Sequence, residues 1–119
     1  MNILSQQFGN LIQKYPNEEH TIERIFNLFS EEKREYPLFG LYELTTPSST
    51  YALTHILNTL VSIGFLQKHY RVISKADNGG IKDYPYLTEI PEDIYDWRSE
   101  QDIHVTPDII KVIYKTAAG

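Results

Sequence analysis

Apolar residues recur at three- and four-residue intervals through the first half of the chain, which is the spacing of an amphipathic helix. The first such stripe predicts a helix over residues 3–15, and Pro16 ends it. Asn17 has the chemistry of an N-cap, and the acids of residues 18–19 would occupy the first turn of the next helix, where the helix dipole favours them. The stripe of that second helix runs over residues 22–29.

The next two segments predict a pair of helices joined by a tight turn. Residues 38–45 form a short apolar segment, and Thr46-Pro47 predicts the start of a longer helix, with a capping hydroxyl followed by proline at the first helical position. The pattern gives this helix a buried stripe of Leu53, Ile56, Leu57, Leu60 and Val61. Gly64 stands where a left-handed C-cap belongs.

After Gly64 the pattern changes to that of strands. Residues 65–74 are rich in aromatic and β-branched side chains, and Asp77-Asn78-Gly79-Gly80 predicts a hairpin turn. The returning strand would span residues 81–87, with Pro85 placing it at a sheet edge or a bulge. Residues 88–108 are interpreted as an irregular acidic segment, and residues 109–115 predict one more strand.

Composition narrows the class of protein. The chain has 119 residues, 41% of them hydrophobic and 13% aromatic, which fits one folded domain and argues against disorder. It contains no cysteine, so disulfides and thiolate chemistry are excluded. No apolar run approaches the roughly 18 residues of a membrane span, and the start shows no secretory signal. We therefore expect a cytoplasmic protein without a membrane partner.

The net charge of −5 is unevenly distributed. Residues 67–82 carry four bases against one acid, whereas residues 83–108 carry eight acids against Arg98 alone. The acidic total argues against loose electrostatic binding of nucleic acid, although the basic segment could make a local contact. Two solvated surfaces of opposite sign would give the same pattern.

The order of a short helix, a turn, a longer helix ending at glycine and a hairpin resembles the winged helix-turn-helix superfamily. The resemblance covers residues 38–64 as the helix-turn-helix and residues 65–87 as the wing. It implies an α+β fold, mainly helical with a small sheet, in which residues 1–35 add two N-terminal helices and residues 88–119 add the acidic segment and a strand. All of this would form a single domain over residues 1–119.

In winged-helix DNA readers the exposed face of the second helix enters the major groove. Here that face would carry neutral polar side chains, and the phosphate contacts would come from the basic wing. The candidate nucleic-acid contacts are Ser48, Ser49, Tyr51, His55, Asn58, Lys68, Arg71, Lys75 and Lys82. The absence of Lys and Arg between Pro47 and Gln67 weakens this interpretation.

The competing interpretation is a winged helix that binds protein. Aromatic and arginine side chains are enriched at protein interfaces. The candidate interface residues are Tyr70, Tyr84, Tyr86, Tyr95, Trp97 and Arg98. The alternative for Tyr95 and Trp97 is that they pack as a lid over the open side of the domain.

No residue pattern predicts catalysis. The four histidines are scattered, and no His-Glu-x-x-His motif occurs. Glu92, Asp93 and Asp96 lack the spacing of a calcium loop, so a solvated acidic turn is the better interpretation. We expect no catalytic residue, no metal and no cofactor.

The leading hypothesis is therefore a non-catalytic protein-interaction module, a small subunit or adaptor of a multicomponent prokaryotic system. The alternative is a DNA-binding transcriptional regulator that reads DNA through helix 48–63 and the basic wing 67–82. Homodimerisation through residues 3–35 stays open.

Overall fold

Helices form where the apolar stripes predict them. The structure, a computed structural model, describes residues 3–30 and 34–117, with side chains from residue 6 onward. Within those residues the α-helices are α1 (Ile3–Lys14), α2 (Glu19–Phe29), α3 (Leu38–Thr45) and α4 (Thr50–Ser62). The stripe of α4 is buried as predicted at Leu53, Ile56, Leu57 and Leu60, whereas Val61 is only half-buried.

The junction between α1 and α2 differs from the prediction at Asn17. Residues Pro16–Glu18 form a 3-10 turn, so α2 begins at Glu19 and Asn17 is not its N-cap. Glu18 is buried rather than solvated, because its carboxylate accepts hydrogen bonds from the backbone N–H of Ser48 at 2.9 Å and from the Ser48 hydroxyl. The sequence predicted Glu18 in the first turn of α2. Its carboxylate instead accepts hydrogen bonds from Ser48, which lies thirty residues later in the chain.

The turn between α3 and α4 also differs from the prediction, by three residues. Thr46 closes α3 in the left-handed region at φ 46°, donating its backbone N–H to the carbonyl of Tyr42. The cap of α4 is Ser49, whose hydroxyl accepts a hydrogen bond from the backbone N–H of Ala52 at 3.0 Å. Thr46-Pro47 is therefore not the start of the helix, because the N–H of Thr46 already belongs to the helix before it.

Gly64 terminates α4 as predicted. Its φ is 83°, and the backbone N–H groups of Phe65 and Gly64 donate to the carbonyls of Leu60 and Val61. This is the Schellman arrangement, which supplies partners for the last carbonyls of a helix.

The β-structure of the described residues comprises six strands. They are β1 (Glu35–Pro37), β2 (Leu66–Ile73), β3 (Gly80–Tyr84), β4 (Asp93–Asp96), β5 (Gln101–His104) and β6 (Ile110–Thr116). Four strands form an antiparallel sheet in the order β1-β6-β2-β3, and β4 pairs with β5 in a separate two-stranded sheet. The fold is therefore α+β.

The first hairpin, β2–β3, confirms the predicted turn and first strand, whereas the returning strand ends three residues before its predicted end at residue 87. Arg71 faces Asp83 across it, and the register shifts between Val72 and Ile73. Because β3 ends at Tyr84, Pro85 follows the strand rather than interrupting it. The predicted final strand is confirmed as β6.

The second hairpin, β4–β5, contradicts the prediction of an irregular segment over residues 88–108. Tyr95 faces Asp102 and Ile94 faces Ile103 in antiparallel register. Strand alternation explains the pairing, because Ile94 and Ile103 turn to one face and pack against a core.

The chain divides into two compact units, Met1–Gln67 with Tyr114–Gly119 and Lys68–Ile113. In the first unit the rings of Phe8, Phe26, Phe29, Tyr36 and Phe65 form an aromatic cluster with centroid separations of 4.6–6.5 Å. In the second unit the buried cluster is Val72, Ile73, Tyr84 and Ile109, with Ile81, Ile90, Ile94, Ile103 and Val105 packed against it. Each unit thus has apolar residues of its own to bury.

Candidate interaction surfaces

The exposed face of α4 begins with two serines that build the helix start. The Ser48 hydroxyl donates to Glu18, and the Ser49 hydroxyl accepts from Ala52. These two candidate nucleic-acid contacts therefore already make hydrogen bonds within the protein, Ser48 in the turn before α4 and Ser49 as the N-cap of α4.

The rest of that face is neutral and open. Tyr51 is 74% exposed, and its ring lies 4.3 Å from the ring of His55 between centroids. His55 and Asn58 are exposed one and two turns further along. The structure thus presents these three predicted contacts on one helix face, as their spacing requires.

The basic side chains of the first hairpin are largely engaged. Arg71 makes a two-pronged ion pair with Asp83, at 2.7 and 2.9 Å. The ammonium of Lys75 lies 3.5 Å from the carboxylate of Asp108. Acids from the segment that follows therefore lie beside two of the four bases proposed to contact phosphate.

The other two bases of this hairpin lie against aromatic rings. The ammonium of Lys68 is 5.4 Å from the centroid of the Tyr70 ring, and that of Lys82 is 5.2 Å from the centroid of the Tyr84 ring. Such cation–π contacts at exposed sites contribute about 0.5–1 kcal/mol. They leave the charge of each lysine in place.

The carboxylates near these bases are held in their ionised form. The Thr106 hydroxyl and then the Lys75 ammonium keep the pKa of Asp108 below its ordinary value. The backbone N–H of Gly79 and then the Arg98 side chain lower the pKa of Asp77 in the same way. Both carboxylates are therefore ionised at neutral pH.

The candidate interface residues divide by burial. Tyr86, Tyr95 and Trp97 are 63%, 57% and 54% exposed. Tyr84 is buried in the core of the second unit, and Tyr70 is half-buried, so neither adds much to a surface. The lid interpretation of Tyr95 and Trp97 is wrong, because more than half of each side chain is open.

The turn that carries Trp97 is fixed by a buried carboxylate. Asp96 is 1% exposed and accepts hydrogen bonds from the Ser74 hydroxyl at 2.6 Å, the Ser99 hydroxyl at 2.8 Å and the Arg98 backbone N–H at 2.9 Å. Burial raises the pKa of Asp96, but these hydrogen bonds outweigh burial and bring it below its ordinary value. The carboxylate thus ties the end of β2 to the turn of the second hairpin.

Arg98 makes a second link between the turn of the first hairpin and the turn of the second hairpin. Its guanidinium donates to the Asp77 carboxylate at 2.7 Å and to the Gly80 carbonyl at 3.1 Å. It also lies 4.5 Å from the centre of the Trp97 ring. A Cβ atom on Gly79 would stand 2.3 Å from the guanidinium carbon, so this close approach requires glycine.

The side chains of the second hairpin alternate between the core and the solvent. Ile94 and Ile103 face the core, and their neighbours Asp93, Tyr95, Asp102 and His104 face outward. We call these four residues and Trp97 the outer hairpin face. His104 and Asp93 are linked across it at 3.1 Å.

A cleft of about 500 Å³ lies beside β5 and is lined mainly by polar side chains, among them Ser99, Gln101 and His104. Asp96 also lines it, but its oxygens are occupied by the donors already described. Among residues 3–30 and 34–117, no three His, Asp or Glu side chains are grouped so that they could hold a metal ion. No helix in that part of the chain is long and apolar enough to cross a membrane.

The expectation that Asp96 belongs to a solvated acidic turn is wrong, because its carboxylate is buried and accepts hydrogen bonds from Ser74, Arg98 and Ser99. The sequence signal for a hairpin was two short runs in which apolar and polar residues alternate, residues 93–96 and 101–104, with four residues between them.

No protein-family model, curated protein or solved structure matches the chain.

Proposed function

We propose that the chain is a non-catalytic protein-interaction module, a small subunit or adaptor, that docks on its partner through the outer hairpin face. The observation that carries the proposal is that Tyr95, on β4, and Trp97, on the turn that follows it, are more than half exposed, and that Asp96 and Arg98 hold this turn in place. The element order α3, turn, α4, hairpin supports a winged-helix architecture as the scaffold.

Rigid presentation of aromatic side chains favours binding. Tyrosine and tryptophan are enriched among the residues that dominate interface energies. A side chain that is already ordered loses less conformational entropy on binding, typically about 0.5–1.5 kcal/mol for each side chain that need not be immobilised. Trp97 meets this condition because Arg98, which lies over its ring, is itself held by Asp77.

Charge favours a protein partner over DNA. Binding to DNA draws its affinity from bases that neutralise phosphates. Two of the wing bases, Arg71 and Lys75, already face Asp83 and Asp108. The neutral face of α4 adds no cation to replace them.

The test is capture of a partner by the tagged full chain from an extract of its source cells. We expect the double variant Tyr95→Ala/Trp97→Ala to lose the partner while keeping its circular dichroism spectrum, because both side chains are mainly exposed. The matched control is Phe39→Ala/Tyr51→Ala, which removes two side chains of the first unit that are 73% and 74% exposed. Loss of the partner by the control alone would contradict docking through the hairpin.

Duplex DNA is the competing ligand, and fluorescence anisotropy at low and moderate salt measures it directly. We expect no salt-sensitive binding by the wild-type chain. Binding that is weakened for all sequences by Lys68→Ala with Arg71→Ala and Lys75→Ala would instead establish the wing-anchored regulator.

A further inference from the structure

The outer hairpin face combines aromatic rings with acidic side chains. Tyr95 and Asp102 face each other across the two strands, so their side chains lie side by side. Asp93 is two residues before Tyr95, and its side chain is 70% exposed. Two further exposed acids, Glu92 and Glu100, lie next to these strands in the chain.

The cations near this face lie beside other acceptors. Lys75, which lines the cleft beside β5 together with Asp102 and His104, lies 3.5 Å from Asp108. The guanidinium of Arg98 lies over Trp97 but donates to Asp77 and Gly80. The imidazole of His104 lies 3.1 Å from the carboxylate of Asp93. Tyr95 is therefore bordered by Asp102 across the hairpin and by Asp93 on its own strand, whereas the cations near this face lie beside other acceptors.

We propose that the outer hairpin face binds a lysine- and arginine-rich segment of a protein partner. Cationic side chains would lie on the open faces of Tyr95 and Trp97 and pair with Asp102 and its acidic neighbours. The same acids repel DNA and anionic lipid, so charge complementarity selects a basic polypeptide. This inference rests on the proposed function and specifies the chemistry of the partner.

Trp97 provides the readout, because it is the single tryptophan of the sequence. The probe is a synthetic twelve-residue peptide of alternating lysine and arginine, with a glutamate peptide and a glycine-serine peptide of equal length for comparison. We expect a saturable change of Trp97 emission with the basic peptide alone, and weaker binding as salt is raised. An unchanged emission with the basic peptide overturns the inference.

Two isosteric variants separate local recognition from attraction by the overall net charge. Asp102→Asn removes the charge opposite Tyr95, and Glu100→Gln removes an exposed charge from the turn that carries Trp97. The controls Glu19→Gln and Glu43→Gln remove the same charge from exposed positions of the first unit. We expect each hairpin variant to bind the basic peptide about two- to five-fold more weakly. We expect the controls to bind it as the wild type does, and equal weakening by both pairs overturns the inference.

Two substitutions test whether the aromatic face of Tyr95 contacts the cations of the basic peptide. Tyr95→Phe keeps the aromatic face and should retain affinity for the basic peptide, whereas Tyr95→Leu should lose about two- to five-fold. Equal affinity of the leucine variant would show that the aromatic face makes no contact with the cations and would overturn this part of the inference.

Capture of the natural partner by two double variants distinguishes a failure of this inference from a failure of the proposed function. The double variant Asp102→Asn/Glu100→Gln keeps Tyr95 and Trp97. If it captures the natural partner as well as the wild type while Tyr95→Ala/Trp97→Ala does not, the docking surface stands and the basic chemistry is overturned. If both double variants capture the partner normally, both proposals are overturned.

Discussion

Removal of the Ser74 hydroxyl tests whether the buried Asp96 carboxylate fixes the turn that carries Trp97. Ser74 is fully buried, donates to Asp96 at 2.6 Å and accepts from the backbone N–H of Ala76 at 3.1 Å. Loss of a buried hydrogen bond to a charged acceptor lowers the free energy of unfolding by about 1.5–3 kcal/mol. We therefore expect Ser74→Ala to cost about 2 kcal/mol and to lower the urea midpoint by about 1 M.

The assay is urea unfolding followed by Trp97 emission, since Trp97 is the single tryptophan and lies in the second unit. The matched control is Ser30→Ala, which removes an exposed hydroxyl that donates to the carbonyl of Asn27 at 2.8 Å. Exposed substitutions of this kind change stability by less than about 0.5 kcal/mol. A loss in Ser74→Ala no larger than in the control would refute the role assigned to this hydrogen bond.

The pH dependence of the same pair gives a second readout. The pKa of Asp96 is held below its ordinary value of 3.8, so its contribution to stability is present above pH 3.8 and is lost as pH falls through the lowered pKa. Without the Ser74 donor the pKa of Asp96 moves back towards 3.8. We expect the difference between wild type and Ser74→Ala to narrow below pH 3.8, and a difference that widens there would contradict the assignment.

Three further substitutions test the fold and the turn. Leu57→Ala removes a fully buried side chain from α4 and should lower the free energy of unfolding by about 2–5 kcal/mol in urea titrations followed by circular dichroism, whereas a loss below 1 kcal/mol would argue against its burial. Gly64→Ala places a Cβ at φ 83° and should cost about 1–2 kcal/mol, measured in the same way, and no loss would contradict the left-handed cap. Gly79→Ala should displace the Arg98 guanidinium and change Trp97 emission while leaving stability nearly unchanged, and an unaltered emission would refute the close approach.

The helices and the first hairpin were predictable because their signals are local. Apolar spacing locates α1, α2 and α4, and Asp77-Asn78-Gly79-Gly80 locates the turn, where Asn78 adopts a φ of 60°. The start of α4 was not predictable in this way. Its turn depends on Glu18, which lies thirty residues before Ser48 in the sequence and becomes its partner only in the folded chain.

The candidate surface shows the same division between local and distant signals. The sequence indicates that Tyr95, Trp97 and Arg98 form an anchor-like stretch. It does not reveal that Asp96 between them is buried, because that depends on the position of Ser74 at the end of β2. Nor does it show that the basic and acidic segments pair with one another, as Arg71 and Asp83 do.

Burial of Trp97 by the partner can be followed through its own emission, because Trp97 is the single tryptophan of the chain. The captured partner is added stepwise to the full chain, and complex formation is followed separately by light scattering. We expect the Trp97 emission to shift to shorter wavelength and to saturate with the complex, since its ring passes from 54% exposure to an interface. A stoichiometric complex with unchanged Trp97 emission would contradict docking through the outer hairpin face.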